Sequence, residues 1–284
     1  MKSYFLVFGV TLWLLICSPM VSVLSSHETE HVIKFGIFPY KSPRTIVRLF
    51  GPIVKRLEAE LGMQVQLVTA PDFKTYVARG SKGDYDLAFP CVHCFFLMQE
   101  AGYTVIARGQ PDFYGGLVVH RDSGINDIEQ LRGMKIAAIG RHSYAGYLFM
   151  VARLYERGID PAGEVEFSFL GKLDSVLFAV LNGTYDAGIV RRDALADPQF
   201  ADLRSDLVFI ATSLPIPQFP FVVKKDMPAD HVATIRRVLT AFSMADPDDR
   251  QILESLRITA ISPAVDAHYE EFRGRLQQTL ELAP

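Results

Sequence analysis

From residue 31 onward, short apolar runs alternate with segments whose apolar residues recur every three or four positions, the pattern of strands joined by amphipathic helices. The runs predict strands over 32–38, 64–69, 85–89 and 104–107, with helices between them over 43–61, 73–78 and 91–101. The first helix is the plainest. Ile46, Leu49, Phe50, Ile53, Val54 and Leu57 fall on one face, Pro43 suits the first turn and Gly62 stops it. A second series then repeats the order: strand 117–120, a turn at Asp122-Ser123-Gly124, a short helix capped by Asp127 and ending at Gly133, strand 135–139, helix 143–157, strand 165–170, helix 174–181 and strand 187–190. A last strand over 221–224 and helices starting near Asp230 and Pro263 return to the first half. Two similar α/β halves joined by extended crossings predict two lobes with a cleft between them, residues 31–116 plus 216–284 forming lobe 1 and 117–215 lobe 2.

Ahead of this pattern, Lys2, an apolar run over 4–17 and small polar residues over 22–26 read as a secretory leader spanning 1–26. The run is short for a bilayer span. Leu15-Ile16-Cys17 resembles a lipidation signal, but Ile16 stands where such processing prefers a small residue, which disfavours a lipid anchor on Cys17. The leader takes one of the 29 basic residues and none of the 32 acidic ones, so the remainder carries about −4 and shows no nucleic-acid footprint. The expected location is the periplasm. Once Cys17 has left with the leader, Cys91 and Cys94 are the remaining cysteines, in an oxidising compartment that permits a disulfide. At 284 residues, 49% hydrophobic and 21% charged, the chain is long enough for two lobes with cores of their own.

Three strand ends carry the candidate chemistry. In DYDLAFPCVHCFF, residues 84–96, an apolar strand turns into a helix at Cys91, and Cys94 stands one turn further with His93 between them. Thiols at this spacing form a disulfide, a redox dithiol, a trap for a soft metal or metalloid, or two packed side chains. Structural zinc lacks ligands here. Strand, Cys-Val-His-Cys and helix also resemble a thiol–disulfide oxidoreductase site, with Pro220 as the facing proline, but the flanking elements do not form that compact fold. At Gly140-Arg141-His142-Ser143-Tyr144-Ala145-Gly146 a strand ends, a polar loop follows and a helix begins. Its unpaired N–H groups and positive dipole end suit an anion, with a hydroxyl from Ser143 and charge from His142 or Arg141; the alternative is that Ser143 only caps its own helix. Phe38-Pro39-Tyr40-Lys41-Ser42-Pro43 repeats the geometry after the first strand and brings Tyr40 and Ser42 to the sheet's end. Asp86 and Asp186 hold matching places in GDYDLA and GTYDAG and are expected to bond backbone at the strand starts. No Ser, His and acid stand in a hydrolase arrangement.

Taken in order, FGIFPYKSP, LGMQVQLVTAPDF, GDYDLAF, VVHRDSGINDIEQLRGMKIA, HSYAGYLF, GTYDAGIVRRD and SLPIPQFPFVV resemble the phosphate/phosphonate-binding family of periplasmic solute-binding proteins, the receptors of ABC importers. The resemblance runs through nearly the whole mature chain. It implies an α/β, type II periplasmic-binding-protein fold closing on a small oxyanion (phosphonate, phosphite or phosphate), without catalysis, metal or cofactor, and an inner-membrane ABC permease as partner. It places Tyr40, Ser42, Cys91, His93, His142, Ser143, Tyr144 and Arg191 at the ligand. The departures are specific. Where the family has Ser-Thr-Ser-Gly, this chain has Ser143-Tyr144-Ala145-Gly146, keeping one hydroxyl in kind with the Tyr144 phenol as a substitute. Gly171-Lys172-Leu173 lacks the His of the family's Gly-x-His. Asp193 corresponds to an acid that holds the ammonium of an aminoalkylphosphonate, but no second acid follows Ile216-Pro217, which disfavours an amino-substituted ligand. The Gly and Pro of the first-lobe turn are replaced by Pro90-Cys91-Val92-His93-Cys94. A thiol facing the cleft suits arsenite, which some family members sense. The alternative expectation is therefore an arsenite sensor that uses Cys91 and signals to the periplasmic domain of a sensor kinase. Ser143→Ala is expected to weaken binding severalfold while barely moving the melting temperature of the empty protein.

Overall fold

The computed structural model describes Met1 and residues 32–283; the leader and Cys17 lie outside the described residues. Strands β1 (Ile33–Ile37), β2 (Val65–Val68) and β3 (Leu87–Phe89) run parallel with β1 in the middle, each followed by a helix: α1 (Pro43–Leu61), α2 (Phe73–Gly80) and α3 (Val92–Gln99). All six periodic residues of α1 are buried, Ser42 caps its start, and Gly62 at φ 65 caps its end. The sheet is completed by β4 (Tyr103–Gln110) and by two strands from the far end of the chain, β10 (Pro220–Lys224) and β11 (Ala260–Pro263), in the order β11-β4-β10-β3-β1-β2. β10 is antiparallel to both β3 and β4. Phe35, Phe50, Phe89 and Phe221 pack at its centre, with ring centroids 5.8 Å apart for Phe35–Phe50 and 4.8 Å for Phe89–Phe221.

The second sheet contains β5 (Gly115–His120), β6 (Lys135–Ala138), β7 (Glu166–Phe169), β8 (Ala187–Arg191) and β9 (Leu207–Thr212), in the order β7-β6-β8-β5-β9. The helices between them are α4 (Phe149–Glu156) and α5 (Leu173–Leu181). β6 lies parallel between β7 and β8, as β1 lies between β2 and β3. The likeness extends to single bonds. Lys34 N donates to Asp86 Oδ2 at 2.8 Å in one sheet and Lys135 N to Asp186 Oδ2 at 2.8 Å in the other, so each acid satisfies a backbone N–H at a strand start.

Two crossings join the lobes, one between β4 and β5 and one between β9 and β10. They lie side by side: Phe113 N donates to Ile216 O at 2.9 Å and Ile216 N to Phe113 O at 2.8 Å. After β10 come α6 (Ala229–Thr240) and α7 (Pro247–Ser255), the latter tied to α1 by buried Asp249, which accepts from Arg56 and from Ser243 N. β9, α7 and β11 lack a strong sequence period, and all three are additions to the sequence-derived elements. The helix expected near Pro263 begins at Glu270, because 260–263 pair as an edge strand against β4, a place where proline is tolerated. That last helix, α8 (Glu270–Leu282), does not serve one lobe alone. Phe272 stacks on Phe96 of α3 at 6.4 Å and meets the Tyr144 ring beside α4 at 4.7 Å.

Candidate ligand-binding site

The ends of β1, β3 and β6 each lead into a capped helix start. After β1, the Tyr40 ring stacks on Phe38 at 4.5 Å, and Ser42 is exposed, its Oγ accepting from Thr45 N at 3.3 Å. After β3, Cys91 caps α3: its Sγ accepts from Cys94 N at 3.1 Å, and the two residues are joined as a disulfide with Cα atoms 5.0 Å apart. After β6, Ser143 Oγ accepts from Gly146 N at 3.1 Å. A Cβ at position 146 would lie 2.8 Å from that oxygen, so the Ser-x-x-Gly spacing is a packing requirement of the cap. The turn it opens, Tyr144–Leu148, is a π-turn leading directly into α4.

Two pairs of predicted residues meet across the lobes. His93, in the first turn of α3, faces His142, in the loop after β6, with ring centroids 5.9 Å apart. His93 is half-buried, is hydrogen-bonded to the His142 backbone, and its Nδ1 has no partner among the described residues. Burial lowers its basicity; the backbone bond works against this, and the second imidazole adds to the lowering. The other pair is Tyr40 and Arg191. Both rest on Phe219 of the second crossing, Tyr40 with ring centroids 6.5 Å apart and Arg191 with its guanidinium 5.9 Å from the ring centre. Burial pushes the Tyr40 phenol up, and the charges of Arg191 and Arg257 offset part of that.

Tyr144 lies elsewhere. Its ring packs on Phe272, and its phenol, raised by burial, is engaged by Arg275 and Thr279 of α8. Arg191 holds Asp193 in a fork, Nε to Oδ1 at 3.0 Å and Nη2 to Oδ2 at 2.6 Å, and lies 4.0 Å over the Phe113 ring. Arg257 adds a second cation, 3.5 Å from Asp193 Oδ1 and 2.8 Å from Asp197 Oδ2. Burial alone would raise the Asp193 carboxyl, but Arg191 and then Arg257 outweigh it and hold the group below the usual carboxylate range. Lys41 lies in the same field. Partial desolvation and then Arg257 lower its basicity, against the pull of Asp197.

Sequence reasoning missed Phe113, Phe219, Lys41, Arg257 and Asp197. Phe113 and Phe219 sit in the crossings, where no helical or strand period marks them. Arg257 carried no such mark either: its left-handed backbone after α7, φ 59, at a position that glycine normally takes, is visible only in the structure.

Two α/β lobes with paired crossings, and helix starts that face each other across the lobe boundary, make up the type II periplasmic-binding-protein fold. The chain belongs to the phosphonate-binding family, described as ABC transporter, phosphonate, periplasmic substrate-binding protein, which matches residues 35–269. It is 27% identical over 186 residues to the phosphate-import protein PhnD of Mycolicibacterium smegmatis, a match that covers 60% of this chain and 58% of that protein. It is also similar to the binding-protein component of an ABC phosphonate transporter from Pseudomonas aeruginosa, with a TM-score of 0.77 and 18% identity over 89% of this chain and 88% of that one. PhnD1 from Prochlorococcus marinus, in complex with methylphosphonate, gives a TM-score of 0.75 at 18% identity over 87% and 98% of the two chains. The last two likenesses establish the fold.

Proposed function

We propose that this protein is an exported, non-catalytic receptor that captures a small phosphorus oxyanion (phosphonate, phosphite or phosphate) between its lobes and delivers it to an ABC permease of the inner membrane. The observation that carries this reading is the approach of His93 and His142, which brings the α3 start of one lobe opposite the Ser143-capped start of the other. Helix starts offer unpaired N–H groups and the positive dipole end, so two of them facing each other suit a compact anion. Ser143, His142 and His93 surround that point, and Tyr40 with Arg191 forms the second wall. Ser42 caps a helix start away from the His93–His142 approach and Tyr144 serves α8, so neither is included among the ligand contacts. A disulfide leaves no thiolate to bond arsenic, so the oxidised protein has a hard-ligand site, and the arsenite reading carries no further support.

The test is calorimetric titration of the mature protein with phosphate, phosphite, methylphosphonate and arsenite, under oxidising and reducing conditions. Binding of a phosphorus oxyanion regardless of thiol state is expected; uptake of arsenite alone, after reduction, would replace this reading with metalloid sensing. Ser143 needs a corrected variant. Because its hydroxyl caps a turn, Ser143→Ala costs stability of about 1 kcal/mol as well as affinity. Ser143→Gly loses only a few tenths of a kcal/mol at a cap. It should still weaken binding roughly tenfold or more, as expected for a lost charge-assisted bond. Unchanged affinity removes Ser143 from the site.

A further inference from the structure

Arg257 follows α7 in lobe 1, yet its side chain ends on lobe 2. Its backbone is left-handed, φ 59, a conformation that residues with a Cβ avoid, and the turn is closed by Ile258 N donating to Leu253 O at 3.0 Å. Such strain persists where surrounding contacts hold it. Here the contacts are Asp193, in the first of two 3-10 turns that follow β8, and Asp197, at the junction between those turns. Asp193 is shared: the same Oδ1 accepts from Arg191 Nε at 3.0 Å and faces Arg257 Nη1 at 3.5 Å. Isolated surface ion pairs contribute little, but this is a network of two guanidinium groups and two carboxylates with side-chain exposures of 15% to 35%. It stands against the crossings. A cavity of about 250 Å³ beside it is lined by Phe113, Tyr114 and Gln218 as well as by Asp193 and Arg257.

We propose that Arg257 is a closing latch: by bonding Asp193 and Asp197 across the lobe boundary it favours the closed arrangement, and through the shared Asp193 it steadies Arg191 against Phe113 and Phe219. Opening the lobes breaks these bonds, so the latch slows ligand release. The release arm of the test rests on the oxyanion reading; the shape arm does not.

The test uses Arg257→Gly, Asp197→Asn and the double variant of these two, with Arg257→Lys as the rescue. Glycine suits the left-handed position and asparagine keeps the helix-cap acceptor, so both single variants and their double are expected to fold with melting temperatures close to or above wild type. Small-angle scattering of the mature protein without added ligand should give a larger radius of gyration for each single variant, and the double variant should add nothing further, as for two ends of one bond. With radiolabelled phosphate or methylphosphonate as probe, release should be roughly five- to fiftyfold faster in Arg257→Gly, with Arg257→Lys restoring part of the difference. Unchanged dimensions in both single variants, or additive effects in the double, overturn the latch. If wild type takes up neither probe, the oxyanion reading falls and the scattering result still decides the latch.

Discussion

A histidine whose Nδ1 is buried without a partner among the described residues, beside a second imidazole, is shifted toward its neutral form, because protonation would add charge where burial already penalises it. His93 is therefore less basic in the folded chain than in the unfolded one. Below its ordinary value near 6.5, the unfolded state binds more protons, so this contribution is complete above about pH 6.5 and is lost as pH falls toward the folded value. The melting temperature of the empty protein should drop between pH 7.5 and 5.5, and His93→Gln should reduce that drop by about 2 °C. An identical pH dependence in the variant would assign the effect to another group. Asp193 acts in a lower pH range: its depressed carboxyl supports the fold above ordinary carboxylate values, and that support is lost as pH falls from there through its folded value.

At the scale of one element, α3 combines a buried apolar side with a covalent start. Val92, Cys94, Phe95 and Met98 are buried, so the helix is anchored by packing as well as by the Cys91–Cys94 bond. A cross-link over so short a loop removes little chain entropy, about 2 kcal/mol in the loop-closure account. Reduction with a dithiol should lower the melting temperature by roughly 5 °C without unfolding the protein at room temperature. No shift on reduction would mean that the folded protein does not depend on the bond. The same helix presents His93 to lobe 2, so loss of the cross-link should be felt in ligand affinity as well as in stability.

For the whole molecule, α8 is the element that joins the parts. Phe272 is 2% exposed and lies between Phe96 of lobe 1 and Tyr144 of lobe 2. Phe272→Ala opens a hole that both lobes border, at a cost of about 3–5 kcal/mol. The expected fall in melting temperature is roughly 10 °C. A fall of less than about 2 °C would show that α8 is peripheral to the fold. This position of α8 also accounts for the destination of Tyr144: its ring fills space against a helix that lies more than a hundred residues away in the chain.

The sequence by itself determined most of the elements and their order, but not β9, α7, β11 or the start of α8. The α1 bounds, the Asp127 and Ser143 caps, the matching Asp86 and Asp186, and the two α/β halves were legible because each depends on residues within a turn or two of one another, or on a period repeated along one segment. Which candidate side chains meet was decided only by the tertiary structure. Arg257 and its carboxylate partners are 64 and 60 residues apart, and no local pattern links them. The two His residues, the Tyr40–Phe219–Arg191 wall and the capture of Tyr144 by α8 likewise follow from how the lobes and the last helix are set against one another. That arrangement is fixed by long-range packing and ion pairing, which a period of two or 3.6 residues does not encode.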